Sequence, residues 1–488
     1  MMIFLPVFFV FLLNLPFFSQ EPKKANFLAL GMALFQIVVV AGGFLNSFEF
    51  IAKFVGTHFS LVFLLDKVSL LILLVTGLIS FSACLIGEKA FNSDKTRFYF
   101  FNLILLDIAA LNGLALTSDI FTLYIYIEAT TIISFILIAL NKEIRALEGA
   151  FKYVVMTTCA TMLFLSAIGI VMMITGSTSF DAIKAGLASS GTINSVISSE
   201  LPFSTAMNST VLKFALGLFL IGLFIKGGIV PFHGWVADAY GSAPTPVSLM
   251  LAGAVTKAGG IYSLVRIVHY IFPFKSAIGI AILIVGTISI VVGALAAMGQ
   301  KELKRMLAFS SVSQTGYILL GIGTGTDLGL AGALFHYFNH SILKAALFSN
   351  SAALESSIGH SNISEINGQG SKMPVTAFTS IVASMSTAGV PPLSGFWSKL
   401  VIVIALWKAG FFFFSVVAVL ASILTLAYML GFQKRAFFLK PPENSPEIKE
   451  ASLEINFPAI AFCLVTICIG LLFPYVVGTI ILPVDKIL

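Results

Sequence analysis

The chain has 488 residues, of which 58% are hydrophobic and only 10% charged, with a formal net charge of +6. Soluble domains carry roughly 25% charged residues, so an ordinary soluble domain is excluded, and no basic cluster carries the interleaved aromatics that grip single-stranded nucleic acid. Apolar runs of about 20 residues, the length that crosses a bilayer, recur from end to end.

The first span is read at 2–18 (MIFLPVFFVFLLNLPFF). It has no basic segment ahead of it, and no small-residue cleavage site follows before Gln20-Glu21-Pro22, so it is expected to be retained. Further spans are predicted at 26–46, 66–87, 98–116, 119–140, 150–175, 210–230, 246–272, 277–298, 306–324, 329–354, 376–408, 411–432 and 453–482. That gives an all-α polytopic membrane protein of about 14 helices. The connections 176–209, rich in Ser, Gly and Thr, and 355–375 are expected to lie outside the membrane and to carry no chemistry. Lys23, Lys24, Lys89, Lys95, Arg97, Lys142, Arg145, Lys301, Lys304, Arg305, Lys434, Arg435 and Lys440 fall in connections after odd-numbered spans. Basic loops stay cytoplasmic, which places the chain in the cell membrane with both termini outside.

The four cysteines, Cys84, Cys159, Cys463 and Cys468, lie in or beside apolar runs and form no C-x-x-C pair. They read as small apolar fillers. No cofactor or metal is expected in this chain, and no redox or hydrolytic centre.

The stretch 212–266 breaks the apolar pattern. Lys226 ends one run, Gly227, Gly228 and Pro231 interrupt the helix, and His233-Gly234-Trp235 with Asp238 follow; a second run then carries Lys257 near its middle. A charge at the bilayer centre costs about 3 kcal/mol even on insertion scales. Irregular backbone at membrane depth is tolerated only where it is buried in protein or lines a wet cavity. Lysine beside a broken helix therefore points to an ion path. Glu128, in the middle of the fifth span, has no cation on its own helix, and pairing with Lys226 is the reading that gives each a partner. The alternatives are a static ion pair, and for Lys226 a side chain that snorkels to the interface.

His336, His340 and Lys344 recur at every fourth position of ALFHYFNHSILKAALF and share one helical face. Three stacked titratable groups read as a proton relay, since histidine titrates near neutral pH; structural hydrogen bonding and an H-x-x-x-H metal pair are the alternatives. Lys399 follows a second interruption and either ends this relay or is an interfacial lysine. The two interruptions align: Gly228, Pro231, Gly234 and Trp235 match Gly389, Pro392, Gly395 and Phe396 at the same spacing. His233 and Asp238 suit an entrance or a helix cap. Asp66 and Lys67 mark a helix start, Glu148 and Lys152 a surface pair, and Lys304, Arg305, Ser310, Ser311 and Gln314 the start of the tenth span. Asp107 has no evident partner.

The segments 226–257, KELKRMLAFSSVSQTGYILLG, FHYFNHSILKAALF and GVPPLSGFWSK resemble the antiporter-like subunits of respiratory complex I, multisubunit Mrp Na+/H+ antiporters and membrane-bound hydrogenases. The resemblance spans nearly the whole chain and is strongest over 98–432. It implies N-terminal helices at 1–97, two inverted five-helix repeats at 98–272 and 277–432, each with a broken helix, and a last helix within 453–488. It implies proton transfer through Glu128, Lys226, Lys257, His336, His340, Lys344 and Lys399. It also implies partners: other membrane subunits, the lipid bilayer, H+ and a candidate coupled Na+. Lysine rather than glutamate at 399 departs from one complex I branch. The chain stops soon after the last span, which resembles an Mrp D-type or hydrogenase-type subunit. Ile127 stands where the family usually has tryptophan. The expected function is thus proton translocation coupled to Na+ exchange or to redox chemistry in partners. The alternatives are a complex I subunit proper, a non-conducting scaffold and a self-sufficient solute transporter.

Overall fold

The computed structural model describes residues 1–15, 21–46, 50–55, 60–189, 205–272, 276–366, 368–439 and 448–476. Its long helices are α1 (Phe4–Leu13), α2 (Pro22–Asn46), α3 (Lys67–Ala90), α4 (Asp94–Leu116), α5 (Ile120–Ile138) and α6 (Ile144–Thr175). They continue as α7 (Phe180–Ser189), α8 (Thr205–Lys226), α9 (Gly234–Ser242), α10 (Thr245–Ile271), α11 (Ser276–Met298) and α12 (Leu303–Gly323). The series closes with α13 (Asp327–Ile358), α14 (Pro374–Ala388), α15 (Ser394–Lys408), α16 (Phe412–Gln433) and α17 (Leu453–Leu471). Among the described residues, ten helices are long and apolar enough to cross a membrane. The protein is therefore a polytopic helical membrane protein.

The chain is not helical throughout. Residues 47–65 fall between two expected spans, and within them β1 (Phe50–Val55) and β2 (Ser60–Leu65) form an antiparallel hairpin, paired from Phe50↔Leu65 to Val55↔Ser60. Six-residue runs rich in Val, Phe and Leu are too short to span as helix and suit a pleated strand. The hairpin is tied to the α4–α5 turn, where Ser118 N and Oγ both donate to Val62 O at 3.2 and 3.0 Å. The connection expected at 176–209 is also partly structured, since α7 lies in it; Phe180 N donates to Ser118 O and Tyr270 Oη to Asp181. The remainder, 190–204, lies outside the described residues, as do 16–18 of the first expected span and 477–482 of the last.

Polar residues decide which helices go inside. α13 carries His336, Asn339, His340, Ser341, Lys344, Ser349, Asn350 and Ser351, all buried, and packs against α3, α10, α12, α14, α15 and α17. Apolar α11, by contrast, turns Ile280, Ile284, Ile288 and Leu295 outward, the pattern of a lipid-facing helix. α11 crosses α12 closely because small residues meet there: a Cβ on Gly316 would lie 2.5 Å from Gly286 O.

One buried ion pair joins the start of α3 to the end of α10. Arg266 donates through both terminal nitrogens to Asp66, at 2.6 and 2.7 Å, and also to Tyr262 Oη and Ser69 Oγ at 2.8 Å each. Asp66 caps α3 by accepting from Ser69 N, so the helix-start reading of Asp66 holds. Its bond to Arg266, 200 residues away, was not legible. Removing one partner of a buried, hydrogen-bonded pair costs about 3–5 kcal/mol. Asp66→Asn keeps a cap acceptor but strands the guanidinium, whereas Arg266→Met leaves Asp66 on its cap and partly solvated. Thermal unfolding of the purified protein should therefore show the larger loss for Asp66→Asn.

Candidate functional site

The two sequence-aligned interruptions adopt the same backbone. α8 ends at Lys226 and α14 at Ala388, and a glycine just beyond each end, Gly228 (φ 64°) and Gly389 (φ 89°), is left-handed. In each, the glycine N–H reaches back three residues, to Ile225 O at 3.1 Å and to Ser386 O at 3.0 Å. The residue after it reaches back five, to Phe224 O at 2.9 Å and to Met385 O at 3.0 Å. This is the hydrogen-bonded helix stop that glycine permits at no steric cost. A cis X-Pro bond follows in each, Val230–Pro231 and Pro391–Pro392. The aromatic of the first motif closes the break, with Trp235 Nε1 donating to Ile225 O at 3.0 Å.

Each break sits beside a buried lysine. Lys226 occupies the last turn of α8 and bonds the Thr131 hydroxyl of α5, one turn beyond Glu128. Glu128 lies close enough for the two charges to interact, yet its Oε2 is buried without a hydrogen-bond partner. The lysine is thus poised between a hydroxyl and a carboxylate. Lys399 folds back onto the other helix stop, with its Nζ donating to Thr387 O at 2.9 Å and Ala388 O at 3.4 Å. Both lysines are buried within the protein, at 8% and 5% exposure. The ammonium of each lies at the C-terminal end of a half-helix, α8 for Lys226 and α14 for Lys399, where the helix dipole favours a cation.

Between them lie Lys257, His340, His336 and Lys344. Lys257 is 1% exposed and sits in a wide π turn, Lys257–Tyr262, one of three in α10. Its charge reaches His336, His340 and Lys344 across the α10–α13 packing. Lys344 Nζ donates to Leu307 O and Ser310 Oγ at 2.7 Å each. The rings of His336 and His340 have centroids 6.4 Å apart. His336 Nδ1 is hydrogen-bonded to Ser398 Oγ at 2.9 Å, while His336 Nε2 and both His340 nitrogens are buried without partners. No third His, Cys, Asp or Glu joins them among the described residues.

The fold therefore buries six of the seven expected site residues, Lys226, Lys257, His336, His340, Lys344 and Lys399, and leaves Glu128 half-buried. It adds others that sequence reasoning missed. Tyr317 stands between the last members of the row: its ring is 5.7 Å from that of His336 and 4.4 Å from Lys399 Nζ. Its hydroxyl is anchored to Ala418 O at 2.8 Å and Ser422 Oγ at 2.9 Å. Thr131, Ser310 and Ser398 supply the hydroxyls that orient Lys226, Lys344 and His336. Ser310 counted only toward a helix start; a hydroxyl inside an apolar span was the available signal. Asp238 does not line the row. It binds Lys152 at 2.8 Å and Arg305 at 2.6 Å, while Lys152 also holds Glu148 at 2.6 Å. His233 makes no side-chain cap bond.

Residues 117–425 match the family model described as NADH:quinone oxidoreductase/Mrp antiporter, transmembrane. The chain belongs to this family. Among antiporter-family relatives, it is 33% identical to NADH-quinone oxidoreductase subunit N of Desulforudis audaxviator over 70% of this chain and 66% of that protein. It is 26% identical to the D-type subunit of the Na(+)/H(+) antiporter of Alkalihalophilus pseudofirmus over 93% and 89% of the two chains. Its fold matches a chain of the Mrp complex from Dietzia sp. with a TM-score of 0.87 at 26% identity, covering 98% of this chain and 95% of that one. It also matches a chain of a membrane-bound sulfane sulfur reductase, an archaeal respiratory complex, with a TM-score of 0.84 at 25% identity, covering 98% and 95%. The chain is thus an antiporter-like membrane subunit, and the family match encloses every site residue from Glu128 to Lys399.

The first break depends on a close backbone approach. A Cβ on Gly260 would lie 2.4 Å from Gly227 Cα and 2.6 Å from Gly227 N, whereas one on Gly259 would meet nothing within 4 Å. Backbone cannot yield as a side chain can, and overpacking costs about 1–3 kcal/mol. Gly260→Ala should lower the melting temperature and push α10 from the break, while Gly259→Ala serves as the unchanged control; thermal unfolding of both variants tests this.

Proposed function

We propose that this chain moves protons along Glu128, Lys226, Lys257, His340, His336 and Lys399, with Lys344 beside Lys257 and His340, within a multisubunit membrane complex. The observation that carries the reading is the row itself. Titratable groups run from one helix break to the other through the protein interior, each with a hydroxyl, carbonyl or charged neighbour. Buried ionisable groups are costly in a membrane protein and mark ion and proton pathways.

In this reading the Glu128–Lys226 contact opens and closes. When the carboxylate approaches, it favours the ammonium; when it withdraws, Lys226 is left with Thr131 and releases its proton toward Lys257. Charge then shifts through His340 and His336 to Lys399, whose ammonium rests on carbonyls and the face of Tyr317. The chain forms about 14 spans with inverted repeats at 98–272 and 277–432, flanked by 1–97 and 453–488, and both termini face outward. The shared helix stops at Gly228 and Gly389 support that pairing of halves.

The partners are other membrane subunits, and the driving process is Na+ exchange or redox chemistry outside this chain, of the Mrp D-type or membrane-bound hydrogenase kind. Similarity along almost the full length to a D-type antiporter subunit, and to chains of an Mrp complex and a sulfur reductase, supports this assignment. The higher identity over a shorter stretch to an NADH-quinone oxidoreductase subunit supports a second reading, a complex I proton-pumping subunit. A tag on this chain, followed by mass spectrometry of the purified complex, separates the two.

Lys226→Ala and Glu128→Gln should each reduce proton flux in proteoliposomes by at least about tenfold, in complexes that assemble with normal subunit content. Wild-type flux in both variants would leave the scaffold reading instead.

A further inference from the structure

α14, the half-helix ahead of the second break, carries a row of hydroxyls that the proton path above does not use. Thr376, Ser380, Ser384 and Thr387 recur at intervals of four, four and three residues and share one face. All four are buried, and from first to last they cover about 16 Å at 1.5 Å per residue. At the break, the ammonium of Lys399 rests on the carbonyls of Thr387 and Ala388. At the other end, Thr376 Oγ1 donates to the half-buried Glu450 at 2.5 Å. Gly368 N donates to Arg435 O at 3.1 Å, which sets the start of α14 beside the end of α16, among Lys372, Lys434 and Arg435.

Two kinds of hydroxyl line this helix. Thr379 and Thr387 donate to carbonyls of their own helix, Val375 O at 2.9 Å and Ala383 O at 2.8 Å, the back-bonding that shelters a hydroxyl in an apolar span. Ser380 and Ser384 turn instead to Gln433, the last residue of α16, whose Nε2 donates to their oxygens at 2.7 and 2.8 Å. Gln433 is only 1% exposed, and its Oε1 is buried without a hydrogen-bond partner. A water molecule is stable in a protein interior where two to four polar groups meet it. The Gln433 oxygen, the two serine hydroxyls and, one turn on, the carbonyl that holds Lys399 make such a site. Gln433 lies beyond the stretch matched by the family model, which ends at residue 425.

We infer that Lys399 exchanges protons with the basic end of the bundle through water held along this face of α14, and that Gln433 positions that water. The inference rests on the reading of Lys399 as a proton-transfer group and supplies that reading with an outlet. In the step, an Nζ–H bond of Lys399 breaks as a new O–H bond forms on the adjacent water. That water passes one of its own protons to the next, and so to solvent at the start of α14, beside Glu450. Lys399 ends as a neutral amine, and one proton with its charge has reached bulk water. Only N–H and O–H bonds change, and no redox partner is needed. Gln433 gives up no proton; it holds the water between Ser380 and Ser384. Basic ends face the cytoplasm, so the outlet opens to that side.

The test uses the intact complex in sealed vesicles of both orientations, with Cys84, Cys159, Cys463 and Cys468 of this chain replaced by alanine. Single cysteines are then placed by Ser380→Cys, Ser384→Cys, Val382→Cys and Lys434→Cys and exposed to a small, charged methanethiosulfonate that does not cross the bilayer. Mass spectrometry of this subunit reads the modification. Lys434→Cys, at an exposed position, identifies the basic side. Ser380→Cys and Ser384→Cys are expected to react from that side alone, and Val382→Cys, on the opposite face of α14, from neither. Either serine variant carries the test if the other fails to assemble. Adding Gln433→Leu should suppress the reaction of Ser384→Cys, a change that a merely structural glutamine would not produce. With the native cysteines, Gln433→Leu should lower proton flux in proteoliposomes by about tenfold, and Gln433→Glu should restore most of it. Reaction at the serine positions from the other side, or from neither, overturns the outlet. Wild-type flux in Gln433→Leu beside lost flux in Lys399→Ala overturns this step alone. Wild-type flux in Lys399→Ala overturns the parent reading with it.

Discussion

A charge inside a bilayer must find its partner inside the protein, and the arrangement of the helices follows from that demand. The fold meets it in two ways. Asp66 and Arg266 satisfy each other, with Tyr262 and Ser69 taking further donors of the guanidinium, and the result is a fixed clasp between α3 and α10. The lysines and histidines between α5 and α15 are met only in part. Lys226 has one hydroxyl and a nearby carboxylate, Lys399 two carbonyls and an aromatic face, and His340 has no protein partner at either nitrogen. A network of the first kind holds helices together. One of the second kind retains the freedom to change its protonation.

The broken helices make the partial solution possible. A continuous helix presents no free carbonyls at mid-depth, so a lysine there has only side chains to bond. Ending α8 and α14 inside the protein exposes carbonyls and places the negative end of each half-helix dipole beside a cation. Gly228 and Gly389 allow the stop, because a left-handed residue with a Cβ would be strained there. The same geometry imposes a packing condition, since α10 approaches the first break so closely that Gly260 has no room for a side chain. The polar row and the tight helix contacts are thus one requirement seen from two sides.

Much of this was legible in the residues. The lysines, Glu128 and the His336–His340–Lys344 ladder stand out because charge is scarce in this chain, and each rarity marks a position that needs an explanation. The two interruptions could be aligned because glycine and proline act through local backbone rules. The hairpin at 50–65 was missed because its short apolar strands resemble the fringes of spans. Tyr317 was missed because tyrosine in an apolar helix is ordinary until a lysine is found 4.4 Å above its ring.

Sequence by itself determined that the chain crosses a membrane many times, where its helices break, and which titratable side chains interrupt its apolar runs. These follow from composition, length and the backbone chemistry of glycine and proline, all of which are local. Only the tertiary structure decided which groups meet. That Lys226 reaches Thr131, that His336 bonds Ser398 and that Asp66 clasps Arg266 depend on how distant helices pack. Packing is set by the sum of many weak contacts across the whole chain, and no short stretch of residues records it.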